Sequence, residues 1–99
     1  MRPFILAFLL SLSAAPVLAE TEKEIECGYI SDVVGAIQQA RLDRVAERDV
    51  PAALAASATW PEKYNNAIPL LAGHIYELKR SELRTLDLRT TWREQCLTQ

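Results

Sequence analysis

One histidine, three glycines and two cysteines are all that the 99 residues hold of those types, and each scarcity removes a class of chemistry. Zinc takes three or four protein ligands. His74 and Glu77 form an H-x-x-E spacing that puts two ligands on one helical face, with no second histidine to add to them. Three glycines build no glycine-rich phosphate loop, and Cys27 and Cys96 lie too far apart for C-x-x-C redox or haem chemistry. No serine or cysteine pairs with a recognisable base, and Glu47, Asp49 and Glu62 show no catalytic pattern. Strand signals are missing too: no β-branched run alternates with polar residues, and there is no Asn-Gly or Asp-Gly turn. These absences predict an all-α protein that carries no cofactor and no metal and is not an enzyme.

Long apolar runs are also scarce, apart from one at the start. After Met1-Arg2-Pro3 comes FILAFLLSL, Phe4 to Leu12, followed by small residues and Val17-Leu18-Ala19. A charged start, a short apolar run and small residues at the third-last and last positions are the parts of a cleavable signal peptide. Cleavage is expected after Ala19. The run is shorter than the roughly 20 apolar residues of a membrane span, and charges interrupt every later apolar stretch. No cysteine stands where a lipoprotein would need one. The expected product is a periplasmic, non-spanning single domain of residues 20–99. It holds ten Lys and Arg, since Arg2 leaves with the leader, against 13 Asp and Glu, a net charge of −3. A domain this small buries only about 60 to 65% of its unfolded surface, so a covalent staple is expected.

What is present has a helical period. Cys27, Ile30, Val34 and Ile37 recur at spacings of three and four, predicting a first helix over 25–41. Gly35 inside it costs about 1 kcal/mol relative to alanine and suits a close approach by another helix. Residues 42–49 are charge-rich and form a connection. Asp49 before Val50-Pro51 predicts an N-cap and a short helix to Ser57. Thr59-Trp60-Pro61-Glu62 reads as a capping box that opens a third helix with the stripe Trp60, Tyr64, Ile68, Leu71, Ile75 and Leu78. Pro69 falls inside that stripe, and because the stripe stays in phase the expectation is a kink. Residues 79–84 either extend this helix or unwind. A last helix over 86–97 sets Leu88, Trp92 and Cys96 four apart on one face. The expected architecture is a small bundle of about four helices.

Cys27 and Cys96 fall on the apolar faces of the first and last helices. In an exported chain with an even cysteine count their pairing is the favoured reading over two free buried thiols. The bond would close 69 residues of chain and contribute about 4 kcal/mol on a chain-entropy estimate. Charge is distributed to match. Residues 20–32 hold five acids and one base, whereas residues 79–93 hold Lys79, Arg80, Arg84, Arg89 and Arg93 against two acids. The simpler account is internal complementarity between the first and last helices. The sharper one makes Arg80, Arg84, Arg89 and Arg93 a face for an acidic partner or an anionic lipid. Net acidity and an exported address argue against nucleic acid. Trp60, Tyr64, Tyr76 and Trp92 are the large aromatics able to shape a groove, with core packing as their default role.

Three segments together, CGYISDVVGAIQQAR from Cys27, WPEKYNNAI from Trp60 to Ile68 and WREQC from Trp92 to Cys96, make the chain resemble a group of small exported two-cysteine helical proteins of Gram-negative bacteria. That resemblance covers nearly all of residues 20–99, implies the helical fold and the periplasmic address, and supplies no mechanism. The leading functional expectation is a non-enzymatic domain that binds a protein or an envelope component. An acid-activated periplasmic holdase is the alternative, because protonating thirteen carboxylates would leave a self-repelling cation. A small hydrolase or metal enzyme, resting on His74, is the weakest reading.

Overall fold

The computed structural model describes residues 20–99, so the signal-peptide expectation for residues 1–19 lies outside the described residues. Five α-helices and two 3₁₀ segments make up the described chain, and no strand occurs among its residues. Helix α1 (Glu22–Leu42) is the axis on which the rest is assembled. Thr21 caps it, its hydroxyl accepting from the Glu24 N–H at 3.2 Å, and Glu22 and Glu24 place negative charge in the first turn where the helix dipole favours it. It ends in a Schellman motif: Val45 N–H donates to Ala40 O at 3.0 Å and Arg44 N–H to Arg41 O at 3.2 Å. Arg44 takes the left-handed position, φ 64°, that glycine usually fills.

A 3₁₀ turn, Glu47–Asp49, leads into α2 (Val50–Ser57). The bounds of α2 match expectation, but Asp49 is itself helical and its side chain caps nothing. The expected third helix departs further. Its capping box does not form, because Pro61 occupies the cap position and the chain runs first as a 3₁₀ segment, Glu62–Ala67. Helix α3 (Ile68–Ile75) then starts, with Pro69 in its first turn. Pro69 therefore starts a helix instead of kinking one, in the turn where its missing N–H deprives no carbonyl of a bond. The stripe keeps phase through this junction: Trp60, Ile68, Leu71 and Ile75 are buried, and Tyr64 and Leu78 pack partly buried against them. Residues 79–84 form a separate short helix, α4 (Arg80–Leu83), which plants Leu83 in the core.

Val33, Val34, Ile37 and Ala40 on the C-terminal half of α1 meet Val50 and Leu54 of α2, the α3 stripe and Leu83 in one core. Burying such side chains contributes about 1.5–3 kcal/mol each relative to leaving them exposed. Two polar clamps close this end. Tyr76 Oη donates to Val45 O at 2.7 Å while the Arg41 guanidinium lies 5.1 Å from its ring centroid. Partial burial raises the Tyr76 pKa, with Arg41 pulling against that shift and Glu47 adding to it.

Helix α5 (Leu88–Leu97) returns antiparallel along the N-terminal half of α1. None of its residues is fully buried, although Leu88 and Trp92 pack against the core as the four-residue face predicts. The third member of that face, Cys96, is bonded to Cys27, and the disulfide joins the first and last helices across 69 residues with a Cα–Cα distance of 5.7 Å. At the other end of α5 the Gln38 amide donates to Leu83 O at 2.7 Å and Leu86 O at 2.8 Å, pinning the turn from which the helix departs.

Candidate functional site

Two helices lying side by side without full burial leave a groove between them. It has a volume of about 870 Å³. On α1 its wall is built by a ladder four residues apart, Glu24, Gly28 and Asp32, flanked by Ile25 and Tyr29. On α5 it is built by a second such ladder, Arg89, Arg93 and Leu97, together with Glu94. Residues four apart stack on one helical face, so each helix presents one continuous edge to the groove.

Gly28 lines the groove and Gly35 seats Arg89. A Cβ on Gly28 would meet nothing within 4 Å, whereas one on Gly35 would come within 2.5 Å of Arg89 Nε and 2.7 Å of its Nη2. Gly35 thus serves the fold by letting a guanidinium lie flat on α1, as the expected close approach requires, although what approaches is a side chain. From that seat Arg89 Nη1 reaches Asp32 Oδ1 at 3.4 Å, the one ion pair found among the described residues. Both side chains are about half exposed, and such pairs are worth little individually. Lys23 Nζ donates to Gln99 O and adds a contact between the two helices beyond the disulfide. The acidic start and basic end of residues 20–99 do face each other, as internal complementarity predicts.

Only two of the four arginines singled out from the sequence line the groove. Arg89 and Arg93 line the α1–α5 groove, while Arg80 opens α4 half-buried and Arg84 follows it, exposed, and neither lines the groove. Carboxylates outnumber guanidiniums there: Glu20, Glu24, Asp32 and Glu94 against Arg89 and Arg93. Beyond the Asp32–Arg89 pair three acids face one base. The expectation of a basic face for an acidic partner therefore has no counterpart in this groove. Sequence reading passed over Glu94, Leu97 and Gly28, and the usable signal was the pair of four-residue ladders.

The aromatics divide. Trp60 is buried with its indole N–H donated to Asn65 Oδ1 at 2.8 Å, and Tyr76 is held by the clamp described above. Tyr29 and Tyr64 stack with ring centroids 5.4 Å apart, and Tyr29 also lines the groove. A shallower depression of about 470 Å³ on the far side is lined by Glu47, Leu70, His74 and Glu77 among others, with Leu70 the most exposed large apolar residue. His74 is exposed there, and no three His, Cys, Asp or Glu side chains converge as metal ligands among the described residues.

No helix among the described residues is long and apolar enough to cross a membrane. No protein-family model, curated protein or solved structure matches the chain, so what the protein does must be argued from this geometry.

Proposed function

We propose that the protein is an exported, non-enzymatic binding domain whose ligand site is the groove between α1 and α5. One observation carries the reading: Gly28. A glycine inside a helix costs about 1 kcal/mol relative to alanine, yet here no neighbour crowds it and no glycine of the described chain has a positive φ. Neither packing nor backbone geometry calls for glycine at this position. Open backbone in the lining of this groove suits a ligand that approaches the helix closely, as glycine does wherever another group must come near the main chain.

Export is supported by the pattern of residues 1–19, and a disulfide suits an oxidising compartment. The resemblance to small two-cysteine proteins of the Gram-negative envelope points the same way. The test is capture from a periplasmic extract on three oxidised or cysteine-free baits: the protein, Gly28→Met and Cys27→Ala/Cys96→Ala. The expected result is a species retained by the first and lost from both variants, with the recovered protein beginning at Glu20. A species held equally by all three baits would place binding elsewhere.

One observation favours the holdase reading as second. The polar contacts of α5 lean on carboxylates, Asp32 to Arg89 and Asp87 to the Thr90 N–H and hydroxyl. Acid would weaken the Asp87 cap, whose carboxyl pKa the Thr90 bonds hold below its ordinary value, and loosen the one α-helix that buries no residue fully. Protection of an aggregating client at about pH 2 but not at pH 7 would support this reading, and no protection at either pH would remove it.

A further inference from the structure

We infer that the occupant of the α1–α5 groove is a cationic amphipathic peptide segment of another protein, one apolar side chain seated at Gly28 and basic residues beside it. This deepens the binding reading above and rests on it. Apolar side chains share the lining with the open Gly28 position: Ile25, exposed in spite of its size, Tyr29 and Leu97. The rim carries the charge. Asp32 and Arg89 answer each other, leaving Glu20, Glu24 and Glu94 against Arg93. None of those three carboxylates has an ion-pair partner within 4 Å among the described residues. With Arg93 and, after cleavage at Ala19, the new α-ammonium of Glu20 set against the three acids, the rim keeps a net negative charge, so lysine or arginine side chains flanking an apolar anchor would meet an excess of their complements. Such a rim steers encounter and selects partners by sign.

Shape agrees with charge. The ladders Glu24–Gly28–Asp32 and Arg89–Arg93–Leu97 run along two parallel edges, and eight residues of helix span about 12 Å. That length holds two turns of a peptide helix or four residues of extended chain. A peptide laid there reads as helix-in-groove recognition, with one or two anchors spaced along its apolar face.

The experiment uses the oxidised protein and two model peptides with the same leucine pattern, one carrying lysine and the other glutamate between the leucines. Amide chemical shifts of the protein are followed by NMR during titration. The lysine peptide is expected to shift Gly28, Tyr29, Arg93 and Leu97 and to bind at least tenfold more tightly than the glutamate peptide. Gly28→Met, whose Cβ meets nothing within 4 Å and whose longer side chain would occupy the groove, should weaken that binding at least tenfold. Glu24→Lys with Glu94→Lys should reverse the preference. Both variants must first show the α3 amide shifts of the parent, which separates loss of the site from loss of the fold. Tighter binding of the glutamate peptide at the same amides would overturn the cationic assignment and leave the groove as the site. Shifts that ignore Gly28→Met, or that fall outside the groove, would overturn the groove reading as well. Concentration-dependent dimerisation abolished by Gly28→Met would make a second copy of this chain the occupant and overturn the inference of a foreign peptide.

Discussion

The two halves of α1 are held in place by different physics. From Val33 to Ala40 the helix is enclosed by α2, α3 and Leu83, and Val33, Val34, Ile37 and Ala40 are out of solvent. From Glu22 to Asp32 its main neighbour is α5, a helix with no fully buried residue, and what binds the pair is a disulfide, a half-exposed ion pair and a backbone contact from Lys23. One end is a small hydrophobic core and the other is a strap. The domain can bury only so much, and it spends its apolar residues at one end. The groove lies at the other end, where covalent closure supplements the packing of Leu88 and Trp92 in holding its walls together. Local opening at low cost is expected where buried apolar contacts are few.

The sharpest way to break this contrast is to remove the staple. Cys27→Ala/Cys96→Ala forfeits the closure of 69 residues, worth up to about 4 kcal/mol in the chain-entropy account. Hydrogen exchange should show α5 and the first turns of α1 losing protection while α3 amides keep theirs. Equal loss in α3 would mean that the two ends fold as one cooperative unit and that the strap is not separable.

Next in size is a cavity at the core end. Ile68, fully buried at the start of α3, should cost about 3 kcal/mol when changed to alanine, within the range known for core truncations. Urea unfolding measures it. Here the loss should reach both ends, because α5 stands chiefly on α1 and α1 is positioned by the core. Stable α3 amides in Ile68→Ala would contradict the assignment of Ile68 to that core.

Much of this division was legible in the sequence, and the parts that were not share a cause. The apolar stripes of α1 and α3 and the face Leu88–Trp92–Cys96 follow from a helical period that tertiary packing only reinforces. The disulfide followed from compartment and count. Local polar signals misled where they competed with proline. Thr59 and Glu62 have the spacing of a capping box, yet Pro61 takes the cap position and the 3₁₀ segment forms instead. Asp49 was claimed by a preceding 3₁₀ turn. Arg44 in the left-handed position was invisible because no glycine marks it. The groove was half legible: its basic wall stood out as a run of arginines, but its acidic balance emerges only when α1 is laid beside α5, and Arg80 and Arg84 had no marker separating them from Arg89 and Arg93.

Two glycines on one helix sharpen the comparison at smaller cost. Gly28→Ala meets no neighbour and should gain the helix-propensity difference of about 1 kcal/mol. For a domain of this size that is a melting-temperature rise of about 4–8 °C. Gly35→Ala earns the same propensity gain, but its methyl would displace the Arg89 guanidinium and with it the contact to Asp32, so its net change should be near zero. Calorimetry on the two variants decides the matter. If Gly35→Ala stabilised as much as Gly28→Ala, the seat of Arg89 would count for nothing in holding α5.

The smallest effect probes the strap through pH. Asp87 caps α5, its carboxylate accepting from the Thr90 hydroxyl at 2.7 Å and from the Thr90 N–H at 3.1 Å. These bonds hold the carboxyl pKa below its ordinary value, the hydroxyl bond contributing most and nearby Arg89 assisting. A depressed folded-state pKa means that the unfolded chain binds protons first as acid is added. The stabilisation is therefore fully present above about pH 4, near the ordinary aspartate value, and disappears as pH falls through the lower folded-state pKa. ¹³Cα shifts of Leu88 to Thr91 should move toward coil in that window while those of α3 stay helical. Asp87→Asn keeps a good cap residue and removes the titration, so its first α5 turn should hold steady over the same range. Parallel loss of helix in α3 would show acid acting on the core and not on the cap, and the strap would then have no separate pH response to exploit.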